Sequence, residues 1–121
     1  MNVTDIHEKY IIHNKMDFNK LRNNGFKIYG DHAYFSKFVY KDIDKLTIDI
    51  DLSDNTYSLT VLDMDHDEIY FPFYFWDSGK NYELEEVIER VTKTFDFLCD
   101  QKIFWNTKKK KARKKNVQHS K

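Results

Sequence analysis

The sequence predicts an α+β domain, with an antiparallel sheet of about five strands, short N-terminal helices and one long C-terminal helix packed on a face. Three observations predict it. Apolar residues alternate with polar ones between residues 26 and 61, apolar residues recur at helical spacing between residues 84 and 98, and 121 residues suit one domain. We expect a single domain over residues 1–107 and a disordered basic tail over residues 108–121.

Two short helices are predicted before the sheet. Thr4 is suited to cap a helix over residues 4–14. Asp17 is suited to cap a second helix, which ends at the run 23–25 because the glycine of that run accepts the left-handed conformation that closes helices.

The strands are predicted from an apolar period of two. Residues 26–30 and 32–40 are expected to pair through a turn at Gly30 and Asp31. Residues 46–52 alternate most regularly, and a turn follows at residues 53–55. The return strand carries its apolar residues at Tyr57, Leu59 and Val61. We therefore expect a β-hairpin in this region.

Residues 69–76 read IYFPFYFW and predict a strand that is apolar on both faces. Such a strand is normally a core strand, but Pro72 cannot donate to a ladder and favours an edge. An apolar edge strand could instead pair with a partner chain. The residues of that possible interface strand are Tyr70, Phe71, Phe73, Tyr74, Phe75 and Trp76.

The long helix is predicted after a turn at residues 77–80. Its apolar residues are Leu84, Ile88, Val91, Phe95 and Leu98, and glutamates lie at its positive end. Residues 103–105, which read IFW, are expected to fold back as an anchor.

Charge is distributed unevenly although lysines and arginines equal aspartates and glutamates at 20 each. The segment 42–68 holds nine acids and one base, Lys45. The segment 108–121 holds eight lysines and arginines and no acid. The chain therefore combines an acidic hairpin with a basic tail.

The acidic hairpin suggests a docking surface for a basic partner, or a mimic of a nucleic-acid backbone, because uncompensated like charges repel one another and cost stability. The alternative is a solvated outer face of the sheet. The carboxylates that would carry the docking are Asp49, Asp51, Asp54, Asp63, Asp65, Asp67 and Glu68.

The basic tail suggests weak, salt-sensitive nucleic-acid binding, because lysine clusters attract phosphate backbones through counterion release. The alternatives are a solubilising end, or a tail that folds against the protein's own acidic hairpin. The residues that would contact nucleic acid are Lys108, Lys109, Lys110, Lys111, Arg113, Lys114 and Lys115.

No catalytic residue, metal site or cofactor is expected. The single Cys99 allows no internal disulfide, the histidines lack metal-ligand spacing, and the glycines form no phosphate-binding loop. Residues 63–68 resemble the opening of a calcium loop but lack the glycine needed at its sixth position, where Glu68 stands. Without a long apolar run or a leader, the protein is expected to be cytoplasmic, with no membrane contact.

The abundance of Lys, Asn, Asp, Ile and Tyr resembles that of small proteins from AT-rich Gram-positive bacteria and their phages or mobile elements. This resemblance implies that the protein is an inhibitor or adaptor of host machinery. Small acidic anti-CRISPR proteins are one example of such proteins. The first hypothesis is therefore a non-enzymatic interaction protein, the second is a nucleic-acid-binding accessory protein, and the third is a metal-dependent or toxin-type enzyme. The partner and the oligomeric state are left open.

Overall fold

A computed structural model describes residues 3–74 and 81–108. Its elements in chain order are α1 (Val3–Lys9), β1 (Tyr10–Ile12), α2 (Phe18–Asn23), β2 (Lys27–Tyr29), β3 (His32–Tyr40), β4 (Asp44–Asp51), β5 (Thr56–Asp63), β6 (Glu68–Ile69), α3 (Phe71–Tyr74), α4 (Tyr82–Asp100) and β7 (Phe104–Asn106). Strands β2 to β6 form a five-stranded antiparallel sheet in chain order, and β1 pairs with β7 in a two-stranded sheet. The predicted α+β class is confirmed.

The hairpin of β4 and β5 is the centre of the sheet. Residues of β4 alternate strictly between buried and half-buried, and Ile48 opposes Leu59 across the strand pair. The turn at residues 52–55 places Asn55 at φ 57°, in the left-handed region that asparagine tolerates well. The predicted hairpin is confirmed, and its alternation gives the sheet one apolar face and one polar face.

Helix α4 covers the apolar face of the sheet. Asn81 caps it by accepting a hydrogen bond from the Leu84 N–H at 3.1 Å. Its buried positions are Leu84, Val87, Val91, Thr94, Phe95 and Leu98. Phe95 packs at 5.0 Å between ring centroids against both Tyr10 and Phe104. The helix thereby joins the large sheet to the two-stranded one.

The N-terminal region differs from the expected helix over residues 4–14. Helix α1 ends at Lys9, and residues 10–12 form strand β1, in register with β7 as Tyr10 opposite Asn106. The expectation was wrong from Tyr10 onward, because pairing with a strand 96 positions away overrides local helical spacing. The second helix is confirmed, since Asp17 accepts a hydrogen bond from the Lys20 N–H at 2.8 Å.

The segment 69–76 is not one strand, and that expectation was wrong over its described part. Strand β6 stops at Ile69, and helix α3 begins at Phe71. Pro72 lies in the first turn of α3, where a backbone N–H is not needed. The backbone of Val61 at the edge of β5 is hydrogen-bonded by the residues that follow β6. Its carbonyl accepts a hydrogen bond from the Tyr70 N–H at 2.9 Å, and its N–H donates to the Tyr74 hydroxyl at 3.2 Å.

The C-terminal anchor is confirmed. Ile103 and Phe104 are fully buried, and the Thr107 hydroxyl donates at 3.2 Å to the carbonyls of Glu8 and Lys9. No helix in the described part of the chain is long and apolar enough to cross a membrane.

Replacing Phe95 with alanine should lower the free energy of unfolding by about 3–5 kcal/mol, because it removes a fully buried ring and leaves a cavity between the two sheets. Phe97→Ala is the matched control on the same helix, since that ring is 52% exposed. Urea denaturation followed by circular dichroism measures both. Equal losses for the two variants would contradict the packing described.

Candidate functional site

The polar side of the five-stranded sheet faces away from α4, and we call it the open face. It consists of the residues that alternate with core positions along the strands, namely Lys27, Tyr29, His32, Tyr34, Ser36, Phe38, Lys45, Thr47, Asp49, Asp51, Thr56, Ser58, Thr60, Leu62 and Ile69. Each is exposed or half-buried, whereas most residues of the opposite face are buried. A sheet face of this kind is available to a partner.

Aromatic rings occupy the β2–β3 side of the open face. Tyr29 is 64% exposed, and its ring centroid lies 6.1 Å from that of Tyr34. Tyr34 in turn stacks against His32 at 5.8 Å. Phe38 is 41% exposed, and Lys45 Nζ lies 5.8 Å from its ring centroid, which is a cation–π contact within the face itself.

Three of the acids predicted to dock a partner lie at one end of the open face, which we call the Asp51 end. Asp49 Oδ1 lies 2.8 Å from Nδ1 of His32, and this hydrogen bond raises the pKa of the imidazole. Asp51 accepts bonds from the Ser53 hydroxyl and from two turn N–H groups, which lower its pKa. Asp54 is exposed in the turn and free for a partner to approach.

The other four predicted acids lie at the opposite end of the hairpin, which we call the Asp63 end. Asp63 and Glu68 are in register with Asp44, on the side of the sheet that α4 covers, and are not part of the open face. Asp63 lies 2.9 Å from His66 Nδ1 and accepts two turn N–H groups; the contact with His66 lowers its pKa and raises that of the imidazole. Asp65, Asp67 and Glu68 are exposed in and beside the β5–β6 turn.

The two ends are separated by the length of the hairpin. Asp51 and Asp44 stand at opposite ends of β4, seven residues apart, which spans about 23 Å at the usual rise of a strand. Neutral hydroxyl side chains lie between them on the open face, at Thr47, Ser58 and Thr60. The predicted acidic hairpin is thus two carboxylate clusters with a neutral middle.

The other predicted site residues are placed only in part. Lys108 is exposed just after β7, while Lys109, Lys110, Lys111, Arg113, Lys114 and Lys115 lie outside the described residues, as do Phe75 and Trp76. Within the predicted interface strand, Tyr70 and Phe73 are buried in the core, Tyr74 is half-buried against it, and Phe71 is 56% exposed. These residues do not form a common strand edge.

A buried carboxyl group was missed by the sequence reasoning. Asp44 is fully buried on the apolar side of β4, in phase with Leu46, Ile48 and Ile50. The signal was present, because extending the alternation of that strand by one step places Asp44 inward. Burial is the first cause, and the nearby Glu83 carboxyl the second, of a rise in its pKa to about 8.

Among the described residues, no group of three histidine, cysteine or acidic side chains is arranged to hold a metal ion. The surface features of the described residues are the aromatic rings of the open face and the carboxylates at the two ends of the hairpin.

Comparison with known proteins gives a likeness of fold. No family model and no curated protein matches the chain. The structure is similar to the crystal structure of a DUF1831 family protein from Lactobacillus plantarum, with a TM-score of 0.61 and 14% sequence identity over 78% of this chain and 83% of the other. At that level of identity, the two proteins share an architecture, and the likeness supports the compact α+β fold described above.

Proposed function

We propose that the protein is a non-enzymatic interaction protein, an inhibitor or adaptor, that docks through the open face on a basic surface of a nucleic-acid-handling protein. The observation that carries this proposal is the juxtaposition of exposed tyrosine rings with the carboxylates of the Asp51 end. Large exposed rings are the side chains that most often anchor protein interfaces.

The chemistry of the Asp51 end favours an arginine or lysine side chain as the contacting group. A guanidinium can lie flat on the ring of Tyr34 or Tyr29 and pair with a carboxylate beside it. Asp49 is already held in place by His32, and Asp54 projects into solvent. The contact between Lys45 and Phe38 is an internal instance of the same cation–aromatic pairing.

A nucleic acid fits the open face less well, although bases stack on aromatic rings. Proteins that bind single-stranded nucleic acid surround their stacking rings with positive charge, which attracts the phosphates. Here Asp49 lies opposite Tyr34 and Asp51 opposite His32, while Lys27 on β2 adds one positive charge opposite Tyr34. These carboxylates would repel phosphates and attract a cationic protein surface.

The proposal predicts that removing charge from the two ends abolishes partner capture. The variant changes Asp49, Asp54, Asp65 and Asp67 to asparagine and spares Asp51 and Asp63, whose carboxylates hold turns together. Immobilised wild-type protein should capture a basic nucleic-acid-handling protein from host extract, and raising the salt concentration should release it. The variant should capture at most a tenth as much, measured by quantitative mass spectrometry.

The matched control removes four negative charges from the other side of the molecule. It changes Glu85, Glu86 and Glu89 to glutamine and Asp100 to asparagine, all on α4. This control should capture the partner at the wild-type level. The proposal fails if the open-face variant retains the partner, or if both variants lose it equally.

A second activity, nucleic-acid binding, is proposed for the basic tail. Clustered lysines without interleaved aromatic rings contact phosphates and do not stack on bases. This activity is separate from docking through the open face.

The full chain should bind DNA and RNA in a salt-sensitive manner, and a chain that ends at Thr107 should lose this binding, as measured by fluorescence anisotropy. Its melting temperature should be unchanged, because the contacts of Thr107 with Glu8 and Lys9 remain. Full binding by the shortened chain would overturn this assignment.

A further inference from the structure

Asp44 is a buried acid that accepts no hydrogen bond from the described residues. It begins β4, opposite Asp63 of β5, and its side chain is fully buried. Neither of its carboxylate oxygens has a hydrogen-bond partner among the described residues. An ionised carboxylate in such a place costs so much that the group normally takes up a proton instead.

Two further acidic groups meet Asp44 beneath the first turn of α4. Glu83 lies in that turn, and its carboxyl group raises the pKa of Asp44. It does so through its charge and through a hydrogen bond that only a protonated carboxyl group could donate. Tyr70, between β6 and α3, is 7% exposed, and its hydroxyl lacks a hydrogen-bond partner within the described chain. Burial, and then the charges of Glu83 and Asp44, raise the pKa of that hydroxyl.

The groups that face Asp44 from the surrounding elements are acidic. They are Glu83 from α4, Tyr70 from the β6–α3 junction, Asp63 from β5 and Asp65 from the following turn. The lysines closest in sequence are directed elsewhere, since Lys41 lies over the ring of Tyr40 and Lys45 over that of Phe38. Within the described chain, a proton is therefore the simplest positive charge that can join these oxygens.

We propose that Asp44 and Glu83 share one proton in the folded protein at neutral pH, and that its loss in mildly alkaline solution releases the first turn of α4 from the sheet. With the proton present, the Asp44 carboxyl group can donate a hydrogen bond to the Glu83 carboxylate. Without it, two carboxylates repel each other, and the single proton of the Tyr70 hydroxyl can serve only one of them. The first turn is held otherwise by the Asn81 cap and the buried Leu84 side chain.

The direction of the pH dependence follows from the two protonation states of Asp44. Its pKa is raised from 3.8 to about 8 in the folded protein. Because the folded chain keeps a proton that the unfolded chain releases, the stability contributed by this group falls as pH rises from about 4 to about 8 and is constant above that range. The first turn of α4 should open near the upper end of this pH range, at about pH 8, where Asp44 loses its proton.

The test is an NMR titration of the full chain between pH 5 and pH 10. The side-chain carbon of Asp44 should titrate with a midpoint about four units above that of an ordinary aspartate, following its pKa of about 8. Over the same range, amide exchange at Leu84 and Glu85 should accelerate beyond the increase from base catalysis, while exchange at Val91 should not. A midpoint of Asp44 near 4 would overturn the proposal without any variant.

Two variants separate proton sharing from packing. Asp44→Asn keeps the shape of the side chain without its charge, so the excess exchange at Leu84 and Glu85 should disappear. Glu83→Gln removes the like charge, so the midpoint of Asp44 should move to lower pH. Excess exchange that persists in Asp44→Asn, or a midpoint that does not move in Glu83→Gln, would contradict the shared proton.

Discussion

Within residues 3–74 and 81–108, one helix covers one face of a five-stranded sheet, and the rest of the structure depends on this one-sided burial. The strict alternation of β4 places Leu46, Ile48 and Ile50 beneath α4 and leaves the residues on the other side of the strand half-buried. A sheet half-covered in this way needs polar residues outside, and hydroxyl and carboxyl side chains supply most of them. Exposed apolar side chains at Tyr29, Tyr34, Phe38 and Ile69 depart from this pattern, and the three rings are the reason why we propose the face as a binding surface.

The acidic residues acquire different roles once the strands are in register. Asp51 and Asp63 hold the turns at the two ends of the hairpin, and Asp44 lies in the interior. Asp54 and the acids of the β5–β6 turn remain available to a partner. The excess of negative charge is therefore partly structural, and its free part is concentrated where the hairpin ends.

The features that depend on local periodicity could be predicted from sequence. The hairpin, the Asp17 cap and the long helix each follow from spacing within about twenty residues. The strand at Tyr10 could not be predicted, because its partner lies at the other end of the chain. The prediction of one strand over residues 69–76 was wrong because an apolar run fits a buried strand and a short buried helix equally well. The carboxylates proposed for docking follow one another on a single hairpin in the sequence, and only the strand register shows that they form two clusters and that tyrosines accompany one of them.

The central claim is that the open face, and not the helical side, contacts the partner. Site-specific photo-crosslinking in cells tests it directly, with a photoreactive phenylalanine analogue placed at Ser36 or Thr60 on the open face and at Glu89 on α4. The account predicts adducts with one and the same basic protein from the first two positions and none from the third. Adducts from Glu89 alone, or none from Ser36 and Thr60 in cells where the partner is present, would contradict it.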